Sequence, residues 1–474
     1  ALGALHQRCE LLAALDRNAE LEVIDPESAL AMLEALQALE PELVLEWPEG
    51  RALRVGKARQ GSDLSLRVGS QRDWFGAEGG LSLQDGSVIA LGAVLKALAS
   101  SQGRYLRLDA QRVVALSDEL RRRLNVLRGF ADAQGKVQIP RVAAFALRDA
   151  LDDSVELDDS FRKQVARMDS AQLLLPQAPR DLQVELRDYQ LDGLRFLLRL
   201  AAWDAGACLA DDMGLGKTIQ ALAALVARAG EGPALVIAPT SVVANWLNEA
   251  SRFAPTLNVR VYGGGDRAGM LESLARGDLL LASYGLVTQD IERFAEVRFA
   301  TLVLDEAQAI KNPATQRAQA VRALQADFRI ATTGTPIENH LGELWSLFRV
   351  LNPGLLGSEE RFRDRFAHPI ERDPRSPQRD VLRKLIAPFV LRRTKAEVLS
   401  ELPPRTEIVQ TIQPGEGEAR LLAAMRKQAL DHLTDANVPP EQRRFRVLAE
   451  LTRLRRAACH PDLVAPELKL PSAK

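Results

Sequence analysis

Five mostly apolar runs constrain this chain more than any other feature: Ala207–Ala210, Ala234–Ala238, Leu279–Ser283, Thr301–Leu304 and Arg329–Thr332. Each is too short for a helix and is continuous rather than alternating, the pattern of strands buried on both faces of a parallel sheet. Helical patterns of ten or more residues separate most of them. The expected fold class is α/β, with a doubly wound parallel sheet and a ligand at the carboxyl ends of its strands.

The rest of the chain divides around this core. Residues 1–42 read as a helical segment, with Asp25-Pro26-Glu27 as a helix start. Residues 43–175 read as a smaller, mostly antiparallel α+β accessory domain, with short alternating runs such as Leu64–Val68 and Tyr105–Leu108, helices over Val88–Leu98 and Asp118–Phe130, and a helical stretch over Val142–Leu174. Residues 176–185, opening with Pro176-Gln177-Ala178-Pro179, read as a linker, and 186–356 as the parallel-sheet lobe. An arginine-rich helical protrusion over 357–405 follows. Over 406–474 the pattern is a last strand, Thr406–Ile412, and two amphipathic helices.

Composition excludes several classes. With 46% hydrophobic and 26% charged residues, the 474-residue chain can bury cores without staples. Three cysteines, Cys9, Cys208 and Cys459, and no Cys-x-x-Cys exclude a zinc ribbon or secreted disulfide scaffold and favour a reducing cytosol. No apolar run reaches the ~18 residues of a membrane span, so no membrane partner is expected. The chain starts at Ala1, which suggests trimming. Net charge is −1, yet residues 1–50 hold eleven acids against Arg8 and Arg17, while 357–400 hold eleven bases against seven acids. That asymmetry allows an anionic partner near the C-terminal part, or a solvated helical surface.

Three strand ends carry chemistry. Asp211-Asp212-Met213-Gly214-Leu215-Gly216-Lys217-Thr218 joins a strand to a helix, where glycines let backbone N–H groups approach phosphate oxygens. Lys217 can reach β- and γ-phosphates and the Thr218 hydroxyl can ligate Mg2+. The first glycine of the usual phosphate loop is replaced by Asp211, and the alternative is a glycine turn opening a helix. Asp305 and Glu306 end the Thr301–Leu304 run, suited to holding Mg2+ and to activating water respectively, or to capping a helix. Thr332-Thr333-Gly334-Thr335-Pro336 places hydroxyls at a third strand end, and is also an ordinary turn. Helical spacing of Val242, Val243, Trp246 and Leu247 makes Trp246 core packing rather than a base-stacking platform, and Leu344-Trp345 and Leu347-Phe348 likewise. Cys459-His460 reads as a loop contact, and Arg453, Arg455 and Arg456 as a DNA contact or a solvated face.

LRDYQLDG (186–193), LADDMGLGKTIQ (209–220), VIAPTSVVANW (236–246), LASYG (281–285), LDEAQAIKN (304–312), ATTGTPIENHLGELWSLFRVLNPG (331–354), LRRTKAEVLSELPPR (391–405) and LTRLRRAACHP (451–461) occur in fixed order. Together they resemble the first, RecA-like motor lobe of the Swi/Snf family of DNA translocases, in helicase superfamily two. The region before Leu186 resembles the accessory segment of bacterial members. The resemblance implies an ATP-binding half of a duplex-DNA-dependent ATPase, cytoplasmic and nucleoid-associated, monomeric, gripping DNA through its phosphate backbone and acting on DNA-bound protein complexes. It implies ATP and Mg2+ as ligands. Gln190 matches the adenine reader; Gly214, Leu215, Gly216, Lys217 and Thr218 the phosphate and magnesium site; Asp305 and Glu306 the catalytic acids. Gln308, Thr333, Gly334 and Thr335 match coupling elements, and Thr240, Ser241, Ser283 and Tyr284 the DNA-gripping loops. Asp188 and Phe196 depart from a proline and a tryptophan in the family pattern. The second lobe's motifs, with the arginine worth about 10³–10⁵ in rate, do not occur, so these residues alone are expected to be nearly inactive. The alternatives are a strand-separating helicase, or, for this stretch alone, a non-catalytic binding module.

Overall fold

A computed structural model describes residues 23–38, 44–48, 53–71, 74–99, 101, 103–109, 112–132, 134–148, 155–334, 341–376, 378–398, 410–434 and 440–473. They form two compact units, Ala1–Leu399 and Ser400–Lys474. In the second, helices Glu416–Thr434 and Pro440–Cys459 are as expected. The strand expected over Thr406–Ile412 falls mainly outside the described residues, and 410–412 are not strand. Among the described residues no helix is long and apolar enough to cross a membrane.

The N-terminal part of the first unit begins with helix Pro26–Gln37, whose N-cap Asp25 accepts the Ser28 amide at 2.8 Å. Strands β1 (Arg54–Arg59), β2 (Leu64–Ser70), β3 (Trp74–Ser82), β4 (Val88–Ala90), β5 (Tyr105–Arg107), β6 (Arg112–Leu116), β7 (Val137–Pro140) and β8 (Glu156–Leu157) follow. They form a three-stranded sheet, β1-β6-β5, and a five-stranded one in which β7 joins β4-β3-β2-β8 by pairing with β3. Most pairings are antiparallel; β1 with β6 and β2 with β8 are parallel. Two expectations are corrected. Val88 and Ile89 pair with β3 and the helix starts only at Leu91, because β-branched residues beside an open strand edge favour pairing. The stretch after Val142 is interrupted by β8 before helix Asp159–Leu173, which Asp158 caps.

The parallel sheet contains β9 (Ala207–Leu209), β10 (Ala234–Ala238), β11 (Asn258–Val261), β12 (Asp278–Ser283), β13 (Arg298–Leu304), β14 (Gln325–Thr332) and β15 (Val390–Leu391) in the order β11-β12-β10-β13-β14-β9-β15. All six pairings are parallel. Successive β10 side chains enter opposite cores: Leu235 and Ile237 one, Val236 and Ala238 the other. This is why the run is apolar at every position. The doubly wound, RecA-like α/β lobe expected from sequence is therefore what the chain builds. Between β14 and β15 lie helix Leu341–Leu351 and then the protrusion, Glu359–Phe362 through Gln378–Ile386.

One apolar core runs through both parts of this unit. Phe389 is fully buried, with its ring centroid 5.3 Å from Phe145 of the N-terminal part, 5.7 Å from Trp203 and 6.3 Å from Phe348. The segment before helix Asp188–Ala201 is pinned: Arg199 and Arg195 donate to the main-chain oxygens of Leu174 and Pro176 at 2.9 and 3.4 Å. Phe389→Ala is expected to cost about 3–5 kcal/mol. An unchanged midpoint of urea unfolding would show that this aromatic junction contributes nothing.

Candidate active site

The sheet order makes three of the chemistry-bearing strand ends neighbours, because β13, β14 and β9 are adjacent. Leu304 pairs with Ala331, and Thr332 with Leu209, so the three tips stand in register.

The loop after β9 has the form of a phosphate cradle. Gly214 and Gly216 have φ of 89° and 76°, the left-handed region that a side chain disfavours. A Cβ on Gly216 would stand 2.6 Å from the Gln190 side chain, and on Gly214 no atom comes nearer than 3.6 Å. Helix Lys217–Ala227 starts without a side-chain cap, which leaves its first amides directed at the loop. Lys217 Nζ donates to the main-chain oxygens of Asp211 at 2.7 Å and Asp212 at 3.4 Å. Thr218 is half-buried one residue further on, and Leu215 is buried beneath the loop. Gln190 accepts the Arg187 amide at 3.0 Å and donates towards Leu215 O at 3.4 Å, so its amide closes the loop on the helix Asp188–Ala201 side. These donors and this cradle fit a nucleotide triphosphate with Mg2+.

The two acids differ. The Asp305 carboxylate is held by three donors: the Thr332 hydroxyl (2.5 Å) and Glu306 amide (3.0 Å) on Oδ1, and the Trp246 indole N–H (2.8 Å) on Oδ2. Glu306 has φ 48°, a left-handed conformation costing about 1–2 kcal/mol for a residue with a Cβ; such strain clusters at functional sites. Gln308 Nε2 donates to Glu306 Oε2 at 2.7 Å, and the Thr333 hydroxyl donates to Gln308 Oε1 at 3.2 Å. A hydrogen-bonded chain thus runs from the end of β14 to Glu306. Gly334 follows, and Thr335 lies outside the described residues.

Among the residues matched to DNA-gripping loops, Thr240 and Ser241 are exposed at the start of helix Thr240–Phe253. Ser283 and Tyr284 point elsewhere. Ser283 caps helix Tyr284–Gln289 through the Leu286 amide at 3.3 Å. Tyr284 is buried, its hydroxyl donating to Asp305 O at 2.9 Å. Burial, with Asp305 beside it, pushes the Tyr284 hydroxyl far above its usual range, so it remains a donor.

Sequence reasoning missed two partnerships, of Asp211 and of Trp246. Asp211 is wholly buried, and Arg393, just past β15, closes on it: its backbone N and Nε each lie 3.0 Å from Asp211 Oδ1, and its Nη2 lies 2.5 Å from Oδ2. The same guanidinium donates to Gln220 Oε1 at 2.8 Å and to Tyr189 O. Ala210 N and Asp212 N extend the pairing, donating to Leu391 O at 2.7 Å and Arg393 O at 3.0 Å. The aspartate in place of the loop's first glycine is thus one half of a buried ion pair. The arginines of LRRTKAEV were a visible signal, but without a partner. Trp246 is fully buried, as its spacing implies, yet its indole also serves Asp305. Cys459, expected in a loop, is instead the last residue of helix Pro440–Cys459, while His460 just past it accepts the Asp462 amide on Nδ1 at 3.2 Å.

Residues 189–463 match the SNF2-related domain. The chain is similar to the putative ATP-dependent helicase/translocase YwqA of Bacillus subtilis, 35% identical over 83% of this chain and 44% of that protein. It is also similar to TATA-binding protein-associated factor 172 of Homo sapiens, 38% identical over 48% of this chain and 14% of that protein. Among solved structures, the Sulfolobus solfataricus SWI2/SNF2 ATPase core in complex with dsDNA is 36% identical over 62% of each chain, with a TM-score of 0.46. The chain spans less than half the length of the curated relatives named here. Its matched residues contain the glycine loop after β9, the Asp305–Glu306 pair and Arg393, and the chain belongs to the SNF2-related family.

Proposed function

We propose that the full-length protein is a duplex-DNA-stimulated ATPase that moves along DNA and remodels protein–DNA complexes, and that this chain contributes the ATP-binding face. The observation that carries this reading is the meeting of the phosphate loop and the acid pair on the adjacent tips of β9, β14 and β13. Gly214, Leu215, Gly216 and Lys217 bind the phosphates, and Gln190 stands on the side where an adenine would be read. Thr218 and Asp305 would hold Mg2+, which neutralises phosphate charge when bound. Glu306 aligns the attacking water and takes its proton. Gln308 and Thr333 connect that carboxylate to the end of β14, and Thr335 continues the same segment. Ser283 and Tyr284 support the loop that, with Thr240 and Ser241, faces the DNA backbone. An arginine from a facing lobe completes the transition state, so residues 1–474 alone hydrolyse slowly.

The relatives named for TATA-binding-protein association support a DNA-bound protein as the object moved. The deciding experiment is ATP hydrolysis by the full-length protein with and without duplex DNA; equal rates would sink the proposal. Strand displacement from a forked duplex would favour a true helicase instead. Phosphate contact predicts steep salt dependence, with log K for duplex DNA falling about 0.9 per tenfold rise in salt for each phosphate neutralised. A flat salt profile in a filter-binding titration would contradict backbone gripping.

A further inference from the structure

Two elements assigned above to the DNA side each send one aromatic side chain to the same acid. Helix Thr240–Phe253 starts at exposed Thr240 and Ser241 and carries Trp246 six residues on, roughly 9 Å along its axis. Trp246 is fully buried, and its indole N–H donates to Asp305 Oδ2 at 2.8 Å. From the end of β12, Tyr284 donates its hydroxyl to Asp305 O at 2.9 Å. A buried indole normally finds some acceptor, and elsewhere in this lobe that acceptor is main chain: Trp345 donates to Gly357 O at 3.1 Å. Trp246 instead donates to the carboxylate assigned to the metal. Thr332 and the Glu306 amide hold Oδ1 of the same planar carboxylate, so the bond from Trp246 to Oδ2 is the third restraint on how the group is turned about Cβ–Cγ.

We propose that Trp246 is a positioning residue through which contact of duplex DNA with the Thr240–Ser241 end of its helix is transmitted to Asp305, with Tyr284 bracing the same residue from the β12 end. Phosphate engagement shifts the helix, the indole turns the whole carboxylate about Cβ–Cγ against its bonds from Thr332 and the Glu306 amide, and the metal–nucleotide site is completed only when DNA is held. Binding of DNA and of metal–nucleotide is then coupled, and by linkage each tightens the other by the same factor. The proposal rests on the reading of the protein as a DNA-dependent ATPase.

The test measures binding, not turnover. The affinity of the full-length protein for a fluorescent duplex is measured with and without a non-hydrolysable ATP analogue and Mg2+. The wild type is expected to bind DNA about 5–150-fold more tightly with nucleotide, the usual range of such coupling. Trp246→Phe should keep the nucleotide-free DNA affinity and bring the ratio to within about twofold of one. Replacing the indole of Trp246 by benzothiophene, which keeps the shape and removes only the N–H donor, should do the same and separates the lost hydrogen bond from lost packing. Wild-type coupling in both variants overturns the proposal. So does a parallel loss of nucleotide-free DNA affinity, which would make Trp246 a fold residue only. A wild type that binds DNA without coupling overturns this inference alone; one that binds no duplex DNA overturns the functional reading as well.

Discussion

Glu306→Gln in the full-length protein is expected to lower DNA-stimulated ATP turnover by about 10²–10⁴-fold, the contribution of a positioned general base, while nucleotide affinity stays within a few-fold of wild type. Glutamine keeps the size of the side chain and can keep a hydrogen bond to Gln308, which lies 2.7 Å away and whose amide can turn. What it loses is the ability to take a proton from water. The strained backbone at this residue, φ 48°, is a property of the strand-end turn and is unaffected by the exchange. Lys217→Ala removes an ammonium group from the phosphate loop and should lose binding and turnover together. Isothermal titration with nucleotide beside steady-state rates separates the two; identical behaviour of both variants would show that the roles of base and phosphate ligand are wrongly divided.

The second large effect concerns the arginine clamp. Arg393→Met is expected to destabilise the protein by about 3–5 kcal/mol, because it leaves a carboxylate buried without its counter-charge. Asp211 has no exposed surface, and the Arg393 side chain is 13% exposed, so water cannot take the place of the guanidinium. The same substitution removes the donor to Gln220 Oε1, and Gln220 in turn lies within 3.4 Å of Leu215 O and Gly216 O of the phosphate loop. Nucleotide affinity should therefore fall with stability. Pairing Arg393→Met with Asp211→Asn should recover part of the loss, since no charge is then stranded. The two single variants and the double give the coupling energy by chemical denaturation, expected at about 1–3 kcal/mol. Additivity would mean that the two residues touch without supporting each other.

What could be read from sequence followed a physical division. β9, β10, β12, β13 and β14 were legible because strands buried on both faces must be apolar throughout. β11 was not, since Asn258–Val261 is a partly exposed edge strand containing Asn258 and Arg260. β15 is two residues long inside an arginine-rich stretch, too short for any period to register. The placement of the glycine loop and the acid pair at strand ends was legible because each is a run of consecutive residues following an apolar strand. The partnerships were not. Arg393 and Asp211 are 182 positions apart, and Trp246 and Asp305 are 59 apart. What brings each pair together is the order of strands in the sheet, and no local pattern encodes that. Spacing placed Trp246 in the core, where it is, but spacing does not say to which acceptor a buried indole turns.

The path of the protrusion gives it a mechanical character. The chain leaves the sheet at β14, builds the arm, and re-enters at β15, and the strand lying between those two is β9, which delivers the phosphate loop. Outgoing and incoming roots of the arm therefore straddle that strand. A force on the arm therefore reaches the strand that carries the glycine loop from both flanks at once, through β14 on one side and β15 on the other.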